Sequence, residues 1–133
     1  MIFDASSAYI LIKEKNLRGL ENSRTLDLAF YEIGNSIIKE QRRGIIDERT
    51  TRAAGEVVKN LPEIMMVANF REMKADEIFE IAQKSHLTYF DASYIALAKI
   101  SKEILVTDDT PLATAAQKMG IRVYSSGNFE NRG

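Results

Sequence analysis

The sequence predicts a three-layer α/β/α sandwich around a central parallel sheet of four to five strands. Short apolar segments alternate with helical patterns along the 133 residues, the signature of a parallel α/β sheet. Parallel neighbours need helical crossovers, which cover the sheet. The stretch Asp91–Lys102 is apolar on nearly every face, as in a helix buried at the centre.

Met1–Asp4 is a short apolar strand that ends in an acid. Ser6 and Ser7 are the capping residues for a first helix through about Lys15, with Ala8, Leu11 and Ile12 inward. Thr25–Leu28 is strand-like and runs into a helix over Ala29–Arg43, which Gly44 stops. Gly34 in that helix is a poor helix former, worth roughly 1 kcal/mol against Ala, and close helix packing would explain it. Asp47–Asn60 is a further helix that Pro62 cannot continue. Ile64–Ala68 is the third strand. Arg71–Ser85 is amphipathic, with Ala75, Ile78, Phe79 and Ala82 at helical spacing. After the central helix, Ile104–Thr107 is strand four. Thr110-Pro111 opens a helix that ends at Gly120, and Arg122–Tyr124 is the last strand.

Length points to one domain over 1–133, and 45% hydrophobic with 28% charged residues is ordinary for a globular chain. The formal charge of −1 gives no global basic field, so contact with nucleic acid must be local or pass through metal ions. The absence of cysteine excludes disulfides, thiolate zinc sites and cysteine nucleophiles. Met1-Ile2-Phe3-Asp4 has no basic n-region, so no signal peptide is expected, and no apolar run approaches a membrane span; the expected compartment is the cytoplasm, with no membrane partner.

Four acids occupy places where charge is costly. Asp4 ends the first strand, Glu32 lies in a mostly apolar helix, Asp91 opens the central helix, and Asp109 follows strand four beside Asp108. Ligands of open α/β sheets bind beyond the carboxyl ends of the strands, where strand order reverses. If strands one and four are neighbours, Asp4 and Asp109 face each other there, and Glu32 and Asp91 reach in from flanking helices. Taken singly, each acid has a plain reading as a solvated strand end, a helix edge or an N-cap; four together favour a shared site. Clustered carboxylates repel, and a divalent cation relieves this. With one histidine, His86, and no cysteine, the donors are oxygens, which suits Mg²⁺ or Mn²⁺. Such ions support phosphodiester hydrolysis without a nucleophilic side chain. None of the seven glycines forms a phosphate-binding loop.

These residues also match a known family. Leu87-Thr88-Tyr89-Phe90-Asp91-Ala92-Ser93-Tyr94-Ile95-Ala96-Leu97-Ala98 closely resembles the third acidic motif of PIN domains. Met1-Ile2-Phe3-Asp4-Ala5-Ser6 resembles their opening strand and first aspartate. Tyr31-Glu32-Ile33-Gly34-Asn35 resembles the second motif, and Leu105-Val106-Thr107-Asp108-Asp109-Thr110-Pro111-Leu112 the Thr-x-Asp motif. The resemblance implies strand order 3-2-1-4-5 and an Mg²⁺- or Mn²⁺-dependent ribonuclease of the VapC toxin type. By it, Asp4, Glu32, Asp91 and Asp109 are the metal ligands, Thr107 supports the site, and Asn35 orients a carboxylate or a metal-bound water. Asp108 adjoins, and the Thr-x-Asp spacing favours Asp109. The implied partners are an RNA substrate, a second copy of the chain, and a small VapB-type antitoxin that lays a helix in a groove. Promoter DNA is implied only through the complex with that antitoxin.

Other residues read more plainly. Met65 and Met66 are core filling, and Tyr9, Tyr31, Tyr89 and Tyr94 are core or interface residues. His86 is a loop residue. Lys13, Lys15 and Arg18, with Lys39, Arg42 and Arg43, lie near helix C-termini, where they suit the macrodipole. Two rival readings are a phospho-accepting receiver domain and a catalytically silent PIN binding module. The Asp pair follows strand four rather than strand one, and strand three ends in Ala68-Asn69, which disfavours the receiver. The presence of all four carboxylates disfavours the silent module.

Overall fold

The structure, a computed structural model, describes residues 1–131; of the expected domain over 1–133, residues 132 and 133 lie outside those described. Five short strands, β1 Ile2–Phe3, β2 Arg24–Leu26, β3 Met66–Ala68, β4 Leu105–Val106 and β5 Val123–Tyr124, form one sheet. Their order is β3-β2-β1-β4-β5 and every pair is parallel. Six helices surround them: α1 Ala5–Lys13, α2 Leu28–Arg42, α3 Glu48–Asn60, α4 Ala75–Ser85, α5 Tyr89–Ser101 and α6 Thr110–Lys118. The three-layer sandwich is therefore present with five strands. The chain builds outward from β1 through β2 to β3, then returns to β4 on the other side. This places the switch point between β1 and β4, whose register pairs Phe3 with Val106.

Three helix starts differ from the expected ones. Asp4 itself caps α1, its side chain accepting from the Ser7 N–H, so Ser6 and Ser7 lie inside the helix rather than capping it. An aspartate leaving a strand is already at the right place for this bond, and it forecloses the serines as caps. A 3₁₀ turn over Phe70–Glu72 takes up the expected first turn of α4. Thr88 caps α5 by accepting from the Asp91 N–H at 3.1 Å, which puts Asp91 in the first turn rather than at the cap.

The central helix is where the apolar pattern placed it. α5 buries seven consecutive residues, Ala92–Ala98, and packs on β1, β2 and β4. On α4 the inward pair is Ile78 and Ile81, while Phe79 faces outward, 58% exposed. Met65 is buried but Met66 is exposed, and of the two readings of Tyr31, core or interface, its exposure leaves the interface one. Nothing lies within 4 Å of a β-carbon placed on Gly34, so close packing does not account for that glycine. Gly19 is different: a β-carbon there would stand 2.8 Å from Leu11 and 2.9 Å from Phe129.

Candidate functional site

The site grows from the carboxyl ends of β1 and β4. Asp4 is almost fully buried, 5% exposed. Its Oδ1 accepts the Ser7 N–H at 2.9 Å and lies 2.6 Å from Ser7 Oγ. Its Oδ2 accepts the Thr107 hydroxyl at 2.5 Å. The β1–β4 register makes this contact, because Asp4 and Thr107 each follow a paired residue. Thr107 Oγ1 in turn accepts the Asp109 N–H at 3.1 Å, so one hydroxyl ties the first acid to the fourth.

Asp109 is exposed and caps α6, its Oδ1 accepting the Leu112 N–H at 2.9 Å. Asp108 is also exposed, and its Oδ1 accepts the Ser126 N–H at 3.0 Å beyond β5. From the flank, α2 brings the half-buried Glu32, whose Oε1 accepts the hydroxyl of Tyr94 at 2.9 Å. α5 brings the half-buried Asp91. Asn35 stands one turn beyond Glu32 and is exposed.

Electrostatics joins these acids. Burial raises the Asp4 carboxyl above its ordinary range, against the lowering hydrogen bonds from Ser7 and Thr107; the charge of Asp108 adds to the rise. Glu32 is raised by burial, opposed by the Tyr94 hydrogen bond, and raised further by the charges of Asp91 and Asp4. Asp91 is raised by burial and by the charges of Asp109 and Asp4. Tyr94 is raised by burial and by the charge of Glu32, so its phenol remains a donor. Among the described residues, none of the salt bridges engages Asp4, Glu32, Asp91 or Asp109. Their repulsion therefore has no basic side chain to relieve it.

Among the described residues no three Asp, Glu or His side chains stand grouped to hold an ion. The donor chemistry nevertheless fits a hard divalent cation. The four acids offer only oxygen, repel one another, and lack a base, while His86 is an exposed, left-handed residue at the end of α4. Two supporting residues escaped the sequence reading, Ser7 as more than a cap and Tyr94 as more than core. The available signal was spacing: each stands three residues after an acid.

Beside the acids an apolar groove of about 280 Å³ is lined by Leu28, Tyr31, Phe70, Met73, Tyr89 and Phe90. Tyr31 and Phe90, sequence neighbours of Glu32 and Asp91, are 80% and 54% exposed. A larger cleft, about 610 Å³ around Met1, Glu103 and Ile121, lies at the amino ends of β1, β4 and β5 and contains none of the four acids.

Fold and site together define an α/β sandwich with an acidic crevice at its switch point. The chain belongs to the PIN domain family, which it matches over residues 4–118, and two VapC relatives make it of the VapC type. It is 34% identical over 113 residues to Exonuclease VapC9 of Pyrobaculum aerophilum, covering 84% of this chain and 81% of that protein. It is 33% identical over 96 residues to Ribonuclease VapC3 of the same organism, covering 71% and 72%. The crystal structure of PAE2754 from Pyrobaculum aerophilum superimposes with a TM-score of 0.79 at 29% identity, over 98% of this chain and 86% of that one.

Proposed function

We propose that this chain, one PIN domain, is a metal-dependent endoribonuclease and the toxin of a type II toxin–antitoxin pair. The observation that carries this reading is the set Asp4, Glu32, Asp91 and Asp109: mutually repelling, without a basic partner, and gathered toward the switch point of the sheet. PIN family membership and the nuclease names of both relatives support it. In this reading the four carboxylates hold Mg²⁺ or Mn²⁺, which when bound supplies positive charge for in-line displacement at phosphorus and acidifies water. Thr107 and Ser7 orient Asp4 as the buried floor of the site, and Asp109 stands at its exposed rim. Thr107 also anchors the Asp109 backbone. Asn35 would orient a carboxylate or a metal-bound water, and Asp108 is the alternative acid beside Asp109.

The two named relatives differ, one an exonuclease and one a ribonuclease. An exposed rim at Asp109 and half-exposed Glu32 and Asp91 favour entry of an RNA chain sideways, which needs no free end. The apolar groove beside Glu32 and Asp91 suits the apolar face of a VapB-type antitoxin helix, which would close the site. Promoter DNA would be bound only through that complex, and exposed apolar side chains such as Phe79 and Ile100 suit a second copy of the chain. No described helix is long and apolar enough to cross a membrane; the cytoplasm is the compartment where RNA and antitoxin would meet it.

The test is cleavage of linear and circularised RNA by the pure protein with Mg²⁺ or Mn²⁺. Both substrates are expected to be cut, and Asp91→Asn to lose at least about 100-fold in rate with its fold intact by circular dichroism. Undiminished cleavage by Asp91→Asn would overturn the mechanism, and sparing of the circle would overturn internal cutting.

A further inference from the structure

We propose that Tyr94 is a positioning residue for the metal centre, fixing the Glu32 side chain by a hydrogen bond to Oε1 so that Oε2 is left for the cation. This rests on the metal-dependent reading above. Tyr94 is 1% exposed, within the buried run of α5, so its ring is held by packing on all sides. A phenol buried that deeply needs a polar partner. It finds one across the domain, 62 residues away in sequence, at 2.9 Å. Its oxygen also faces the backbone of Ala5, the residue after Asp4.

From the side of Glu32 the bond matters more. This side chain is long, half-buried and on the edge of α2, with several rotatable bonds to immobilise. Tyr94 is the one hydrogen-bond donor to its carboxylate among the described residues. The donor is also neutral. A lysine or arginine in its place would neutralise Glu32 and compete with a divalent ion, whereas a phenol orients the carboxylate and leaves its charge intact. Asp91 and Tyr94 are three residues apart on α5, hence on one helix face. A single rigid, buried helix thus presents one acid directly and anchors a second acid that belongs to α2.

Groups that orient metal ligands from behind typically change metal affinity or activity by about 10–100-fold when removed. The test is Tyr94→Phe, which keeps the ring and its packing. The expected result is Mn²⁺ binding at least about 10-fold weaker by calorimetry, an unchanged metal-free melting temperature, and turnover that recovers at high Mn²⁺. Unchanged Mn²⁺ affinity in Tyr94→Phe would overturn the proposal, as would a lowered metal-free melting temperature with affinity intact, which marks a purely structural role. If Tyr94→Phe itself fails to fold, Tyr94→Leu and Tyr94→Met, which also lack a donor, are compared, and equal Mn²⁺ affinity in a folded variant and wild type overturns it. Glu32→Gln separates the two readings. Loss of Mn²⁺ binding there, beside an unaffected Tyr94→Phe, would sink the role of Tyr94 alone. Retained binding in Glu32→Gln would sink the metal assignment of Glu32 itself.

Discussion

At the scale of single residues, the acids of this protein are held in place against their own electrostatics. Asp4 accepts hydrogen bonds from Ser7 and Thr107, yet burial still raises its pKa. Asp91 is raised by burial and then by two like charges, although it sits in the first turn of a helix, where a negative charge is ordinarily favoured. A carboxyl raised above its ordinary 3.8 holds its proton more tightly in the folded chain than in the unfolded one. Its contribution to stability is whole below pH 3.8 and is lost as pH rises through the raised value. At neutral pH the metal-free protein therefore carries repulsion that a neutral side chain would remove. Asp91→Asn is expected to melt higher than wild type at pH 7 in a chelator. Thermal melts at stepped pH check this: the gap should close as pH falls toward 4, and a gap that widens in acid contradicts the cause given.

At the scale of elements, two of the four acids are helix caps. Asp4 caps α1 and Asp109 caps α6, so both helices begin where the crevice does. The cap and the charge can be separated at Asp109, because asparagine caps a helix as well as aspartate does and alanine does not. Asp109→Asn is expected to keep urea stability while weakening Mn²⁺ binding. Asp109→Ala should lose the binding and also about 1 kcal/mol of stability. Equal stability for the two variants would remove the capping role. The same geometry explains why the plain reading of each acid was so persuasive in the sequence. A cap and a metal ligand ask for the same residue type at the same place, just beyond a strand, and local pattern cannot tell them apart.

For the whole molecule, the proposed function implies that the like charges around Asp4, Glu32, Asp91 and Asp109 are those that a bound cation would offset. Binding to the folded state alone raises stability by mass action, by about 2.7 kcal/mol at a concentration 100 times the dissociation constant. Mg²⁺ or Mn²⁺ is therefore expected to raise the wild-type melting temperature by several degrees and that of Asp91→Asn by little. Differential scanning fluorimetry over a metal titration measures it, and equal shifts in both proteins would place the ion elsewhere. The two effects have opposite signs, so the variant that is more stable without metal becomes the less stable one with it.

The layers, the parallel sheet and the buried run of α5 were legible in the chain alone, because each of these is written in local periodicity. Gly44 with its positive φ ends α2 as its place in the chain suggested. The contacts made across the sheet and between helices were fixed by packing instead. The Thr107 bond to Asp4 spans 103 residues, and the Tyr94 bond to Glu32 spans 62. The outward turn of Phe79, the exposure of Tyr31 and the free space around Gly34 were settled in the same way. Local pattern gives the face a side chain occupies on its own element. Whether a neighbour covers that face, and which atom it offers, depends on how the elements pack.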